Sequence, residues 1–333
     1  MRTLFFILSL ILVFSCKKKE DKSISFYHWK ANATLSQEKQ NILEKCSTKK
    51  VYIHYFDVDT IHVESWKKEN IFPEYVIKKI DPKFDNYTVI PTVFITNRVF
   101  QSSKLNTQKL VEQVTGLINQ ITDKYLKQSI DEIQIDCDWS ASTKNQYFEF
   151  LALMKDKFDI SCTIRLHQIK FQDKTGVPPV KKGTLMLYNM GDLKNKKQNS
   201  IIESNIVSQY INSESSYPLS LSIGLPIFSQ TVVFNNKNEI RLINTTERKT
   251  LDNDVHFKKQ DDLVYEVTKD TLYHGFYLSE GFLLKLEEAT LEEVQTSYQL
   301  ICNSKLSTNE VIVYHLDEKQ ISSLNFNELI KQL

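Results

Sequence analysis

Asp131-Glu132-Ile133-Gln134-Ile135-Asp136-Cys137-Asp138-Trp139 is the stretch on which the fold turns, because polar and apolar side chains alternate from Ile133 onward. Successive side chains of an extended strand point to opposite faces, so Gln134, Asp136 and Asp138 share one face and Ile133, Ile135 and Cys137 the other. The apolar face suits a covering layer of helices, and the polar face suits the axis of a closed barrel. Carboxylates two residues apart on one face lie about 7 Å apart, from a rise of about 3.3 Å per residue. Acids sharing a low-dielectric site push their pKa values apart, so that one keeps a proton while its neighbour stays charged.

Working outward, short β-branched or aromatic runs recur with amphipathic stretches between most of them. The predicted strands are Ile24 to Trp29, Val51 to Val58, Val89 to Thr96, Glu132 to Trp139, Ile160 to His167, Thr184 to Met190, Leu219 to Phe228 and Val311 to Leu316. Helical periodicity marks Gln37 to Cys46, Thr107 to Leu126, Thr143 to Lys157, Ser200 to Ile211, Leu291 to Ile301 and Asn325 to Leu333. This order predicts an α/β chain folded as a (β/α)8 TIM barrel over residues 23–333. Residues 234–286 break the alternation and read as an insertion after the seventh strand, forming a small β-rich subdomain.

Composition narrows the function. Lys plus Arg number 42 against 41 Asp plus Glu, and no basic run extends beyond Lys17 to Lys19, which argues against nucleic acid as a partner. The seven glycines are scattered, so no G-x-G-x-x-G or phosphate loop exists and no nucleotide cofactor is expected. Arg2 and the apolar run Leu4 to Phe14 form a secretory signal, too short to span a membrane comfortably. Val13-Phe14-Ser15-Cys16 resembles a bacterial lipobox. The resemblance implies that residues 1–15 are removed, that Cys16 is lipidated, and that residues 16–22 tether the domain to a bacterial membrane, in the periplasm or at the cell surface. Lys19-Glu20-Asp21 also resembles a short export signal of some surface lipoproteins. Cys46, Cys137, Cys162 and Cys302 lack metal-site or redox spacing, and no disulfide is assigned.

In a barrel of this kind the chemistry belongs at the C-terminal strand ends. Those ends carry carboxylates, aromatics and amides, a lining suited to a neutral polyhydroxylated ligand. Asp131-x-x-Gln134-x-Asp136-x-Asp138 is similar to the D-x-x-D-x-D-x-E strand of chitinase-like family 18 glycoside hydrolases. Met186-Leu187-Tyr188-Asn189, Ile223 to Phe228 and Val311 to Asp317 resemble later strands of that family in the same order. The resemblance implies substrate-assisted glycoside hydrolysis, with Asp138 as general acid, Asp136 orienting the substrate's acetamido group, and Tyr188 and Asn189 as its hydrogen-bond partners. Trp29, Trp139, Arg165 and Gln134 complete the expected substrate contacts.

Two departures bear on catalysis. Asp138 stands where the family has Glu, which removes about 1 Å of reach, and misplacement of that size can cost about 10²-fold in rate. Gln134 stands where the family has Asp. A non-catalytic carbohydrate-binding lipoprotein on a decayed glycosidase barrel is therefore the alternative to hydrolysis. A bland reading has Asp136 and Asp138 as a hydrogen-bonded polar layer or as partners of Arg165, and Tyr188 as a packed phenol. A third function, metal-dependent hydrolysis, would draw on His28, Asp138, His167 or His315. His54 and Asp57 have opposite strand parity and no His-rich motif is present, so no metal is assigned.

Overall fold

The computed structural model describes residues 22–63, 68–244, 246–323 and 326–333. The signal stretch, Cys16 and the tether up to Asp21 lie outside them. Eight parallel strands pair in chain order: β1 (Ser23–His28), β2 (Lys50–Val63), β3 (Thr88–Ile95), β4 (Glu132–Asp136), β5 (Asp159–Ile164), β6 (Lys182–Met186), β7 (Ser220–Pro226) and β8 (Thr308–Tyr314). Ile24 pairs with Val311 and Tyr27 with Tyr52, so β1 joins β8 to β2 and closes the ring.

The helices between strands begin where the sequence supplies caps. Ser36, Asn106 and Thr290 each accept a hydrogen bond from the backbone amide three residues on, starting Gln37–Lys45, Thr107–Tyr125 and Leu291–Cys302. Thr107–Tyr125 buries Leu110, Val111, Val114, Ile118 and Ile121, a stripe at helical spacing that packs on the outward faces of the strands. Ile133, Ile135 and Cys137 lie in the same layer, each at most 1% exposed, as the alternation of β4 requires. Cys137 and Cys162 are buried free thiols there.

Several boundaries differ from the sequence pattern. β4 and β5 stop at Asp136 and Ile164, and the chain then turns outward, so Asp138 and Arg165 sit on loops rather than in strands. β2 runs past the barrel rim and pairs antiparallel with Lys68–Glu74, Asp57 opposite Glu74. After β7 the chain enters the insertion at Ser229, not at 234. There Ile240–Asn244, Ser229–Phe234, Leu283–Glu288, Val264–Val267 and Phe257–Lys259 form an antiparallel sheet in that spatial order. The sheet has its own core around Leu251, Tyr265, Val267, Leu284 and Leu286.

Candidate functional site

The barrel interior is built in layers of polar and aromatic side chains. At the base, Glu310 of β8 accepts from the hydroxyls of Ser25 at 2.6 Å, Ser222 at 2.9 Å and Tyr52 at 3.1 Å. One layer higher, Gln134 accepts from the Tyr27 hydroxyl at 2.6 Å and donates to the Thr184 hydroxyl at 3.0 Å. Gln134 is fully buried and both ends of its amide are engaged across the barrel, so it is an interior strut rather than a group turned toward a ligand.

Asp136 lies above Gln134, buried, and accepts from the Thr163 hydroxyl at 2.6 Å. Burial pushes its carboxyl up to about 6, with Asp138 adding to the rise and Arg165 and Thr163 opposing it. Asp138, at the rim, is held by a two-point clamp: Arg165 donates through Nε to Oδ1 at 2.5 Å and through Nη2 to Oδ2 at 3.2 Å. Arg165 also donates through Nη1 to the Tyr188 carbonyl at 3.1 Å. Burial works against the guanidinium charge, but Asp138 outweighs it and keeps the Arg165 pKa above its ordinary value.

Asp138, Arg165, His167, Tyr188, Asn189 and Tyr210 line a cavity of about 260 Å³ at this rim. Tyr188 is buried, packs its ring against Tyr314 at 4.8 Å between centroids with a 33° tilt, and has no hydrogen-bond partner for its hydroxyl among the described residues. Burial raises its phenol well above the ordinary value. Asn189 is exposed with φ +54°, a left-handed conformation that asparagine tolerates.

The opposite side of the mouth is aromatic and acidic. Trp29 stacks on His54 at 4.5 Å, and His54 Nε2 lies 2.6 Å from Asp57 Oδ1. Strand parity separates these two residues on paper; a bulge between His54 and Phe56 adds a residue to β2 and returns both to one face. Asp59 is held by Thr96, the Thr60 amide and Arg98, which together outweigh its partial burial and keep its carboxyl below the usual value.

Of the expected site residues, Asp136, Asp138, Arg165, Tyr188 and Asn189 gather on one side of the mouth and Trp29 stands on the other. Trp139 does not join them. It is 1% exposed, stacks on Tyr147 beneath the helices and donates to the Thr175 carbonyl at 3.1 Å, leaving no free face for a sugar. The residues proposed for metal chemistry also part company. His28 shares the outward parity of Phe26 and meets Phe84 edge-on in the helix layer, away from Asp138. Among the described residues no three His, Cys, Asp or Glu side chains gather as a metal-binding group.

One feature of the rim was not visible in the sequence. Lys285 and Glu287 alternate with Leu284 and Leu286 on an insertion strand, a pattern that ordinarily exposes the charged pair. Both are fully buried, 2.7 Å apart. Lys285 donates to the carbonyls of Asn195 and Gln198, while Glu287 accepts from the Ser200 amide and hydroxyl and from Gln230. Ser200 in turn receives the Met190 and Gly191 amides on its carbonyl. The insertion thus fixes the loop that carries Asn189 and Met190 along the cavity.

No protein-family model and no curated protein sequence matches this chain. Solved structures do. The C-terminal domain of a putative chitinase from Desulfitobacterium hafniense DCB-2 superposes with a TM-score of 0.52 at 12% identity, covering 94% of this chain and 99% of that one. The barrel is similar to that of chitinase-like family 18 glycoside hydrolases. The spore cortex-lytic enzyme SleL of Bacillus cereus gives 0.47 at 11% identity over 93% of this chain and 74% of that one. The xylanase and alpha-amylase inhibitor protein XAIP-II of Scadoxus multiflorus gives 0.44 at 8% identity over 93% and 97%. At these identities the likeness is one of fold.

Proposed function

We propose that this chain is an exported, lipid-anchored protein that binds a glycan at the rim formed by Asp138, Arg165, Tyr188 and Asn189 without cleaving it. The Arg165 clamp on Asp138 carries this reading. A general acid must hold a proton and aim it at the glycosidic oxygen. Both Asp138 oxygens instead accept from one guanidinium, which holds the side chain as a paired acceptor rather than as a donor aimed at a ligand. The side chain is also one methylene shorter than the family's Glu.

What remains is a polar and aromatic rim with outward-facing hydrogen-bonding groups, which serves recognition. One structure of similar fold is described as a putative chitinase, so a chitin hexamer is the first ligand to try. Titration calorimetry should show binding that Arg165→Ala and Asn189→Ala weaken, while a reducing-end assay shows no release of shorter oligomers. Hydrolysis abolished by Asp138→Ala would overturn the reading and restore Asp138 as general acid. That second reading has one observation in its favour. Asp136, at about 6, carries a proton for part of the time at neutral pH and sits behind Asp138. The anchor rests on the lipobox resemblance at Cys16, and incorporation of labelled fatty acid should vanish in Cys16→Ala.

A further inference from the structure

We infer that the mouth opens away from the anchoring membrane, so that its ligand is a glycan presented from the opposite side and not the headgroup of a glycolipid in the same bilayer. This rests on the lipid-anchor reading of Cys16, and it follows from the end of the barrel at which β1 starts.

Lys22 precedes β1, whose first residue Ser23 pairs with Glu310 near the start of β8. The Lys22 ammonium lies 3.3 Å from Cys302 Sγ and 4.9 Å from the Tyr298 ring centroid. Both belong to the last turns of Leu291–Cys302, the helix that descends to the start of β8. The polypeptide therefore enters at the base of the barrel, the end sealed by Glu310, while Asp138, Arg165 and Asn189 stand at the other end of the strands.

Reach then decides the orientation. From Cys16 to Lys22 the chain spans six links, about 20 Å when fully extended at about 3.3–3.6 Å each. From Glu132 at the base of β4 to Asp136 at its end is four residues, about 13 Å at strand rise, and Asp138 stands further out on the loop that follows. To bring the rim to the bilayer the tether would have to climb that height and also cross the helix layer, about 10 Å thick. It is too short to do both. The base stays against the membrane, and the rim faces across whatever space lies beyond it.

The test uses the mature chain from Cys16 with Cys302→Ser, coupled through the Cys16 thiol to a maleimide lipid in phosphatidylcholine vesicles. A fluorescent donor is placed by an unnatural residue at Lys194 on the rim loop or at Asn303 at the base, both exposed. With acceptor-labelled lipid in the bilayer, transfer should be at least threefold more efficient from 303 than from 194; equal or greater transfer from 194 overturns the orientation. In a second arm, soluble chitin hexamer should bind the tethered chain within twofold of the free chain. A glycolipid with the same oligosaccharide headgroup in the tethering bilayer should fail to compete for it. Competition from that glycolipid overturns the ligand class. Because coupling is chemical, a failure of fatty-acid labelling in cells would refute the anchor alone, and hexamer binding by neither form would refute the glycan reading alone, with the donor positions still deciding orientation.

Discussion

Replacing His28 by Phe should raise stability and remove a large part of the acid sensitivity of the fold. His28 is fully buried, and neither ring nitrogen has a hydrogen-bond partner among the described residues. Burial first, then the positive charges of Lys39, His315 and Lys30, lower its pKa to about 3 from an ordinary 6.5. The native state therefore holds the ring neutral, whereas the unfolded chain takes up a proton below about pH 6.5. The stabilisation present above 6.5 is lost as pH falls toward 3. At one pKa unit per 1.36 kcal/mol, the loss is about 3 kcal/mol at pH 4.5 and approaches about 5 kcal/mol by pH 3. His315, lowered to about 4, works in the same direction. Asp136 works against both. Its carboxyl is raised to about 6, so it contributes stability that is fully present below the ordinary 3.8 and lost as pH rises through 6. Both of those groups persist in His28→Phe and cancel in the comparison. Urea unfolding followed by tryptophan fluorescence at pH 7.5 and 4.5 measures the difference. The wild type should lose about 3 kcal/mol more than the variant between the two, and the variant should already be about 1–3 kcal/mol more stable at pH 7.5 because no buried polar ring is left unpaired. Equal acid losses in the two proteins would refute the reasoning.

Lys285→Met leaves Glu287 buried without its cation and should cost about 3–5 kcal/mol by urea unfolding; a loss under 1 kcal/mol would mean that water reaches the site. Gly183→Ala would place a Cβ 2.8 Å from Ile164 Cγ1 and 3.2 Å from Leu221 Cδ2, so a destabilisation of about 1–3 kcal/mol is expected in the same assay. Tyr188→Phe should leave the free protein as stable or more stable, since the hydroxyl has no partner to lose among the described residues. The same variant should weaken hexamer binding in calorimetry if that hydroxyl meets the sugar, and unchanged affinity would leave Tyr188 a packed phenol.

The barrel was legible because its rule is local. Period-2 alternation at Ile133 to Asp138 and the cap residues Ser36, Asn106 and Thr290 each state their own geometry. One side of the mouth was legible for the same reason: Asp136 and Asp138 follow from β4, and Tyr188 and Asn189 from the end of β6. What alternation cannot express is where a strand stops or gains a residue. Trp139 was carried to the rim by extending β4 past Asp136, and the chain turns there instead. His54 and Asp57 were separated by parity, and a one-residue bulge reunited them. Lys285 and Glu287 escaped notice because burial of a charged pair depends on a loop nearly ninety residues away in sequence, which no window of the insertion strand contains.

That buried pair also makes the insertion and the rim a single inheritable part. A glycine-serine linker in place of 229–288 would shorten the chain without breaking any barrel pairing, yet it would release the Asn195, Gln198 and Ser200 backbone groups that the insertion now satisfies. Grafting this subdomain onto another barrel therefore requires moving residues 187–200 with it. Variation in ligand preference among related chains should be sought in these two segments changing together.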